Sequence, residues 1–131
     1  MANHDVFSLD RDERQKTVME WADSVFGPVA RNPKERCLRL VEEVAELAQA
    51  EGVGVEALVA VLRHVYTKPS GEAEKELGAV CVCVLAYAEA TGWNADTSEA
   101  FELSRILAIN PDHFRERQRV KAAAGVALES P

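Results

Sequence analysis

Glycine and proline cut the hydrophobic pattern of this chain into segments that are too long for strands and of the right length for helices. The breaks are Gly27-Pro28, Asn32-Pro33, Gly52-Val53-Gly54, Pro69-Ser70-Gly71, Gly92 and Asn110-Pro111. Between them the pattern predicts six helices, over about residues 9–26, 33–51, 55–67, 71–91, 97–108 and 111–122. Asn32-Pro33 and Asn110-Pro111 each read as an N-cap followed by proline at the first helical position. The asparagine side chain accepts from first-turn amides, and proline lacks an amide that would have been orphaned there. Asp96-Thr97-Ser98-Glu99 reads as a third start signal. No hairpin signal, internal repeat or low-complexity stretch interrupts the series. The expectation is an all-α helical bundle without a sheet, one domain with an ordered core over 9–121 and a loose tail over 122–131.

Two segments carry the apolar pattern furthest. In the second helix, Cys37, Leu40, Val44 and Leu47 fall on one side and form an expected core stripe. In the fourth, Val80-Cys81-Val82-Cys83-Val84 is a β-branched run that also suits a buried strand. It sits inside about twenty residues with no breaker but Gly78, so length favours a helix. With no charge over 77–88, that helix is apolar all round and is expected to be buried at the centre of the bundle.

Composition adds limits. The chain has 131 residues, 47% apolar and 28% charged, which suits one globular domain. No apolar run reaches the roughly 18 residues that span a bilayer. Met1-Ala2-Asn3-His4-Asp5 has no basic stretch followed by an apolar block, so a cytoplasmic location is expected. Three cysteines cannot all pair within the chain. A net charge of −7 argues against nucleic acid as partner unless a local basic patch exists, and suits carboxylates gathered around a divalent cation. An ordinary solvated surface gives the same charge.

The candidate chemistry lies in Glu42-Glu43-Val44-Ala45-Glu46. At about 100° per residue the three carboxylates fall within an arc of about 100°, opposite the apolar stripe. One reading is a solvated face, with Arg39 spaced three and four residues from Glu42 and Glu43 for ion pairs. The other is that Glu43 and Glu46, one turn apart, share a hard cation such as Mg²⁺, which takes oxygen ligands and keeps waters and substrate phosphates around it. A third ligand must then come from another helix. Glu76, where the polar opening of the fourth segment meets its apolar run, is the candidate. It reads equally as a first-turn glutamate favoured by the helix dipole, alongside Glu72 and Glu74.

With these residues the chain resembles the MazG-like, all-α nucleoside triphosphate pyrophosphatase family. Those proteins carry E-E-x-x-E on one helix and E-x-x-D at the start of a later one. The first half is intact here as Glu42-Glu43-Val44-Ala45-Glu46, preceded by Arg36-Cys37-Leu38-Arg39-Leu40-Val41; the second half is Glu76-Leu77-Gly78-Ala79. The resemblance covers residues 21–119. It implies a helical bundle, a homodimer or homotetramer, that hydrolyses a nucleoside triphosphate between the α and β phosphates to a monophosphate and pyrophosphate. It implies Mg²⁺, with Mn²⁺ as a substitute, held by Glu43, Glu46 and Glu76, and Glu42 as a second-metal ligand or the group that orients the attacking water. The departure is Ala79, which stands where the family has an aspartate and carries no donor atom. Glu72 or Glu74 then replaces that ligand, or the site works with fewer metals, or the chain is a nucleotide-binding or regulatory helical oligomer with little catalysis.

Phosphates also call for cations. Residues 101–121 hold Arg105, Arg115, Arg117, Arg119 and Lys121 against Glu102, Asp112 and Glu116. Arg115 and Arg119 share a helix face; with Arg105 they are the phosphate-binding candidates, and helix-dipole complements on the bland reading. Lys68 and Lys75 rank lower. Cys81 and Cys83 point about 200° apart on a helix and read as buried small hydrophobes, not as a metal pair. His4, His64 and His113 form no zinc-type cluster, and no phosphate-loop or nucleophile-elbow motif is present. Trp21, Phe26, Tyr66, Trp93, Phe101 and Phe114 read as core or interface anchors.

Overall fold

The structure, a computed structural model, describes residues 5–129. It is all-α: six α-helices, two short 3-10 turns (Val6–Ser8 and Gly27–Arg31), and no strand among the described residues. The helices are α1 (Arg11–Phe26), α2 (Pro33–Ala50), α3 (Val55–Tyr66), α4 (Ala73–Thr91), α5 (Ala95–Ala108) and α6 (Pro111–Ala123). All six sequence-predicted segments are present, with ends within two residues of those expected. Asn32 Oδ1 accepts from Lys34 N at 2.9 Å, and Asn110 Oδ1 from Asp112 N at 2.9 Å, so both Asn-Pro pairs cap their helices. At α1, Asp10 and Glu13 form a reciprocal capping box. The third start signal is displaced: α5 already begins at Ala95, which puts Asp96 inside the first turn, where it pairs with Arg14. Gly92 ends α4 in the left-handed region, φ 75°, and lets Trp93 N reach back to Ala88 O at 3.0 Å.

The chain divides into two compact units. The first combines the chain up to Leu40 with everything from Asp96 onward; the second is Val41–Ala95. The division falls inside α2.

The first unit holds the core. Trp21, Ala22 and Val25 of α1 pack with Ala30, and Met19, Phe26, Ile106, Leu107 and Phe114 close around them. Phe26 and Phe114 both meet the Trp21 ring edge to face, at 5.7 and 5.1 Å. A second cluster of Val6, Ala100 and Leu103 joins the first through Ile106 and Leu107. Arg115 of α6 donates to Val25 O at 2.9 Å, satisfying a carbonyl that the end of α1 leaves open.

Arg14, buried against α5, donates to both carboxylate oxygens of Asp96 at 2.6 and 3.0 Å and to Glu99 at 3.3 Å. The hydrogen bonds from Arg14, and then its charge, hold the Asp96 carboxyl below the usual carboxylate range. The folded value is thus below the unfolded one. The contribution of this pair is complete above about pH 3.8 and is lost as pH falls through the lower folded value. Asp96→Asn is therefore expected to lower the urea midpoint at pH 7. The difference from the parent should narrow as pH drops below about 3.8, and a pH-independent difference would refute this.

The second unit is built otherwise. Ala88 is its one buried residue. α4 is a helix through 80–85, as expected, yet it is not a buried centre: Val82 is 65% exposed, Val84 50% and Leu85 58%. Cys83 is exposed and Cys81 half-buried. The α2 stripe of Cys37, Leu40, Val44 and Leu47 is exposed as well. The sequence pattern was read correctly as apolar faces. What differs is that these faces, expected to be buried, are exposed among the described residues. α6 runs to Ala123, and the chain then turns back so that Leu128 is bonded to the side chains of Glu35 on α2 and Gln118 on α6; residues 130–131 of the expected tail lie outside the described residues.

Candidate functional site

The carboxylate candidates all fall in the second unit. α2 continues past Leu40 without a break and sets Glu42, Glu43 and Glu46 on successive turns. Glu43 and Glu46 are exposed and one turn apart, as the motif requires of two ligands sharing an ion, and Glu42 is half-buried beside them. Glu76 is exposed in the first turn of α4. Its carboxylate folds back over Gly71, where a Cβ would come 2.5 Å from Oε1. Gly71 thus leaves the space that the Glu76 carboxylate occupies. Among the described residues, no three His, Cys, Asp or Glu side chains are gathered closely enough to hold one ion. The described residues of the single chain therefore do not gather Glu43, Glu46 and Glu76 around one point. The Ala79 position lies one turn after Glu76 on α4 and offers a methyl group.

The arginine candidates all lie in the first unit. Arg105 pairs with Glu102 at 2.5 Å, Arg115 with Asp112 at 2.8 Å and Arg119 with Glu116, each within one turn of its own helix. Arg115 is the most constrained of them, since it also reaches the carbonyls of Val25 and Ser24. Arg115 and Arg119 line one cavity of about 810 Å³ together with Val25 and Phe26. The exposed pairs are of the kind that contributes little stability and leaves the guanidinium available to a competing anion.

Two polar arrangements escape the sequence reading. One is Glu35, fully buried in the first turn of α2, with an ion pair to Arg39 at 3.1 Å. Arg39 is also spaced three and four residues from Glu42 and Glu43. The i, i+4 partner on its other side was the available signal. The other is Tyr87, whose hydroxyl donates to Glu51 Oε1 at 2.8 Å and whose ring lies 6.1 Å from Trp93. Trp93 and Tyr66 are exposed in the second unit, at 59% and 85%, while Trp21 is core and Phe26 and Phe114 close around it. His4 lies outside the described residues; His64 and His113 sit on different helices in different units.

No family model, curated protein or solved structure matches this chain. Among the described residues, no single helix is long and apolar enough to cross a membrane.

Proposed function

We propose that the chain hydrolyses a nucleoside triphosphate to a monophosphate and pyrophosphate at a site built on Glu42, Glu43, Glu46 and Glu76, and that it works as a homodimer or homotetramer. The observation that carries this reading is the intact Glu42-Glu43-Val44-Ala45-Glu46 motif on α2, with Glu43 and Glu46 solvent-accessible one turn apart and half-buried Glu42 next to them. Hard carboxylate oxygens at that spacing fit Mg²⁺ or Mn²⁺, and Glu43 and Glu46 are the residues that would hold it. The fit is incomplete in one chain, because Glu76 does not join the pair. Mg²⁺ bound there would neutralise charge on the phosphate oxygens. Glu42 would orient a water and take its proton as the water oxygen attacks the α-phosphorus and the bond to the β-phosphate oxygen breaks, releasing pyrophosphate.

Assembly is part of the proposal. Exposed apolar residues on α2, α3 and α4 of the second unit, among them Val44, Leu47, Val61, Leu62, Val82 and Leu85, form faces that isolated soluble chains rarely leave open. A second copy covering them would also narrow the space around the carboxylates. A second reading, binding without efficient turnover, is favoured by Ala79, which removes one ligand of the motif.

Purified chain incubated with a panel of nucleoside triphosphates and Mg²⁺ is expected to release pyrophosphate, and Glu46→Gln is expected to lose at least roughly tenfold of that rate. Mg²⁺ should raise the melting temperature of the parent by mass action, and Glu46→Gln should remove most of that rise. Nucleotide binding by calorimetry without pyrophosphate release would select the second reading. No shift with Mg²⁺, with nucleotide present or absent, would leave the motif as a solvated face.

A further inference from the structure

Beyond the carboxylate motif, the first unit contains a polar groove whose ligand is already in place. Glu35 Oε1 and Oε2 are fully buried at the start of α2. Arg39 pairs with Oε1 at 3.1 Å, and Gln118 of α6 donates to the same oxygen at 3.0 Å. Arg39 and Gln118 both meet the Glu35 carboxylate, so the groove is formed before anything enters it.

What enters is main chain. Leu128 N donates to Glu35 Oε2 at 2.6 Å, Gln118 Nε2 donates to Leu128 O at 3.0 Å, and Arg39 donates to Val126 O. Donors and acceptor are thus matched to the backbone of two residues spaced two apart, which is how peptide-binding surfaces take an incoming chain. Leu128 and Glu129 line the 810 Å³ cavity whose other sides include Val25, Phe26, Arg115 and Arg119. Residues 126–129 belong to no helix. They follow Gly125, whose φ of 77° suits glycine and turns the chain back over the end of α6.

We propose that Glu35, Arg39 and Gln118 form a peptide-binding groove that reads the main chain of residues 126–128, filled here by the chain's own segment and able to take the same segment from a second copy. Val126 N donates to Lys121 O of α6 at 3.0 Å; beyond it the strap is held by side chains, so residues 127–129 can leave without unravelling a helix, and the groove they leave stays internally bonded. The tether gives the strap a high effective concentration in cis, so an incoming segment competes well only when the resident one is weakened.

The test uses a fluorescently labelled peptide of residues 124–129 and the full chain carrying Leu128→Pro, which lacks the amide that donates to Glu35. The peptide is expected to bind this variant saturably and the parent at least tenfold more weakly. A peptide with the same leucine-to-proline change should not bind, and adding Gln118→Ala to the variant should weaken binding at least fivefold. Absence of saturable binding to a folded Leu128→Pro variant at millimolar peptide overturns the proposal. If the variant loses its helical circular dichroism, amide exchange in the parent decides. The Leu128 amide exchanging at least a hundredfold faster than that of Trp21 supports a displaceable strap. Equal rates, meaning the strap opens only on global unfolding, overturn it.

Discussion

Replacing Glu35 by alanine is expected to lower the unfolding free energy by about 3–5 kcal/mol, the range for breaking a buried, hydrogen-bonded ion pair from one side. The carboxylate is fully buried and takes bonds from three parts of the first unit: Arg39 on α2, Gln118 on α6 and the Leu128 amide. Alanine leaves Arg39, whose side chain is only 16% exposed, without that carboxylate, and it leaves the Leu128 amide without its acceptor. It also opens space for which no neighbouring side chain is positioned. In a chain of this size the loss should lower the melting temperature by roughly 10 °C or more. Glu35→Gln keeps the shape and one acceptor oxygen, so its cost should be smaller, about 1–2 kcal/mol, reflecting one donor turned against another. Urea unfolding of the three proteins checks both figures. A loss under about 1 kcal/mol for Glu35→Ala would mean that water replaces these bonds without penalty, contrary to the burial.

Why Glu35 was invisible in the sequence, while the helices around it were plain, has a physical reason. Helix limits are local: Asn32-Pro33, Asn110-Pro111 and Gly92 act on the backbone within a few residues, and the structure places ends close to where these signals put them. The cap at Asp96 failed because a distant residue competed for it. Arg14, 82 positions away, makes a bidentate pair that uses the same carboxylate. Glu35 is the same case at longer range, since the groups that make its burial tolerable arrive from residues 118 and 128. Its one local signal, Arg39 four residues on, does not say that Glu35 is buried. For Glu43 and Glu46, helical spacing was enough to place them on one turn, and that part of the candidate site was legible. Bringing Glu76 to them is a tertiary event that spacing does not encode, and within one chain it does not occur.

The apolar faces of the second unit show the opposite case, a hydrophobic pattern that is plain in the sequence but exposed where burial at the centre of the bundle was expected. A run without charge from Leu77 to Ala88 must be shielded by something, and the sequence does not say whether by this chain or another. In the structure Val82 and Leu85, one turn apart on α4, stand 65% and 58% exposed. If copies pair through these faces as proposed, the parent should scatter light as a dimer or tetramer at micromolar concentration, with a melting temperature that rises with protein concentration. Val82→Glu combined with Leu85→Glu then places two unpaired carboxylates in an apolar contact. At roughly 2 kcal/mol or more for each polar group buried without a partner, dissociation should rise by about a thousandfold or more. The variant should be monomeric at the same concentration. Its first-unit core, Trp21 against Phe26 and Phe114, contains neither position, so near-ultraviolet dichroism from Trp21 should persist. Were the faces open to water in the parent, both substitutions would be surface changes within about 0.5 kcal/mol, and mass and melting temperature would not move. A parent that scatters as a monomer at micromolar concentration, or a doubly charged variant that still assembles, would remove pairing from the account of this unit. The open faces would then need another cover, and the Glu43–Glu46 pair would have to find its remaining ligands from water and phosphate alone.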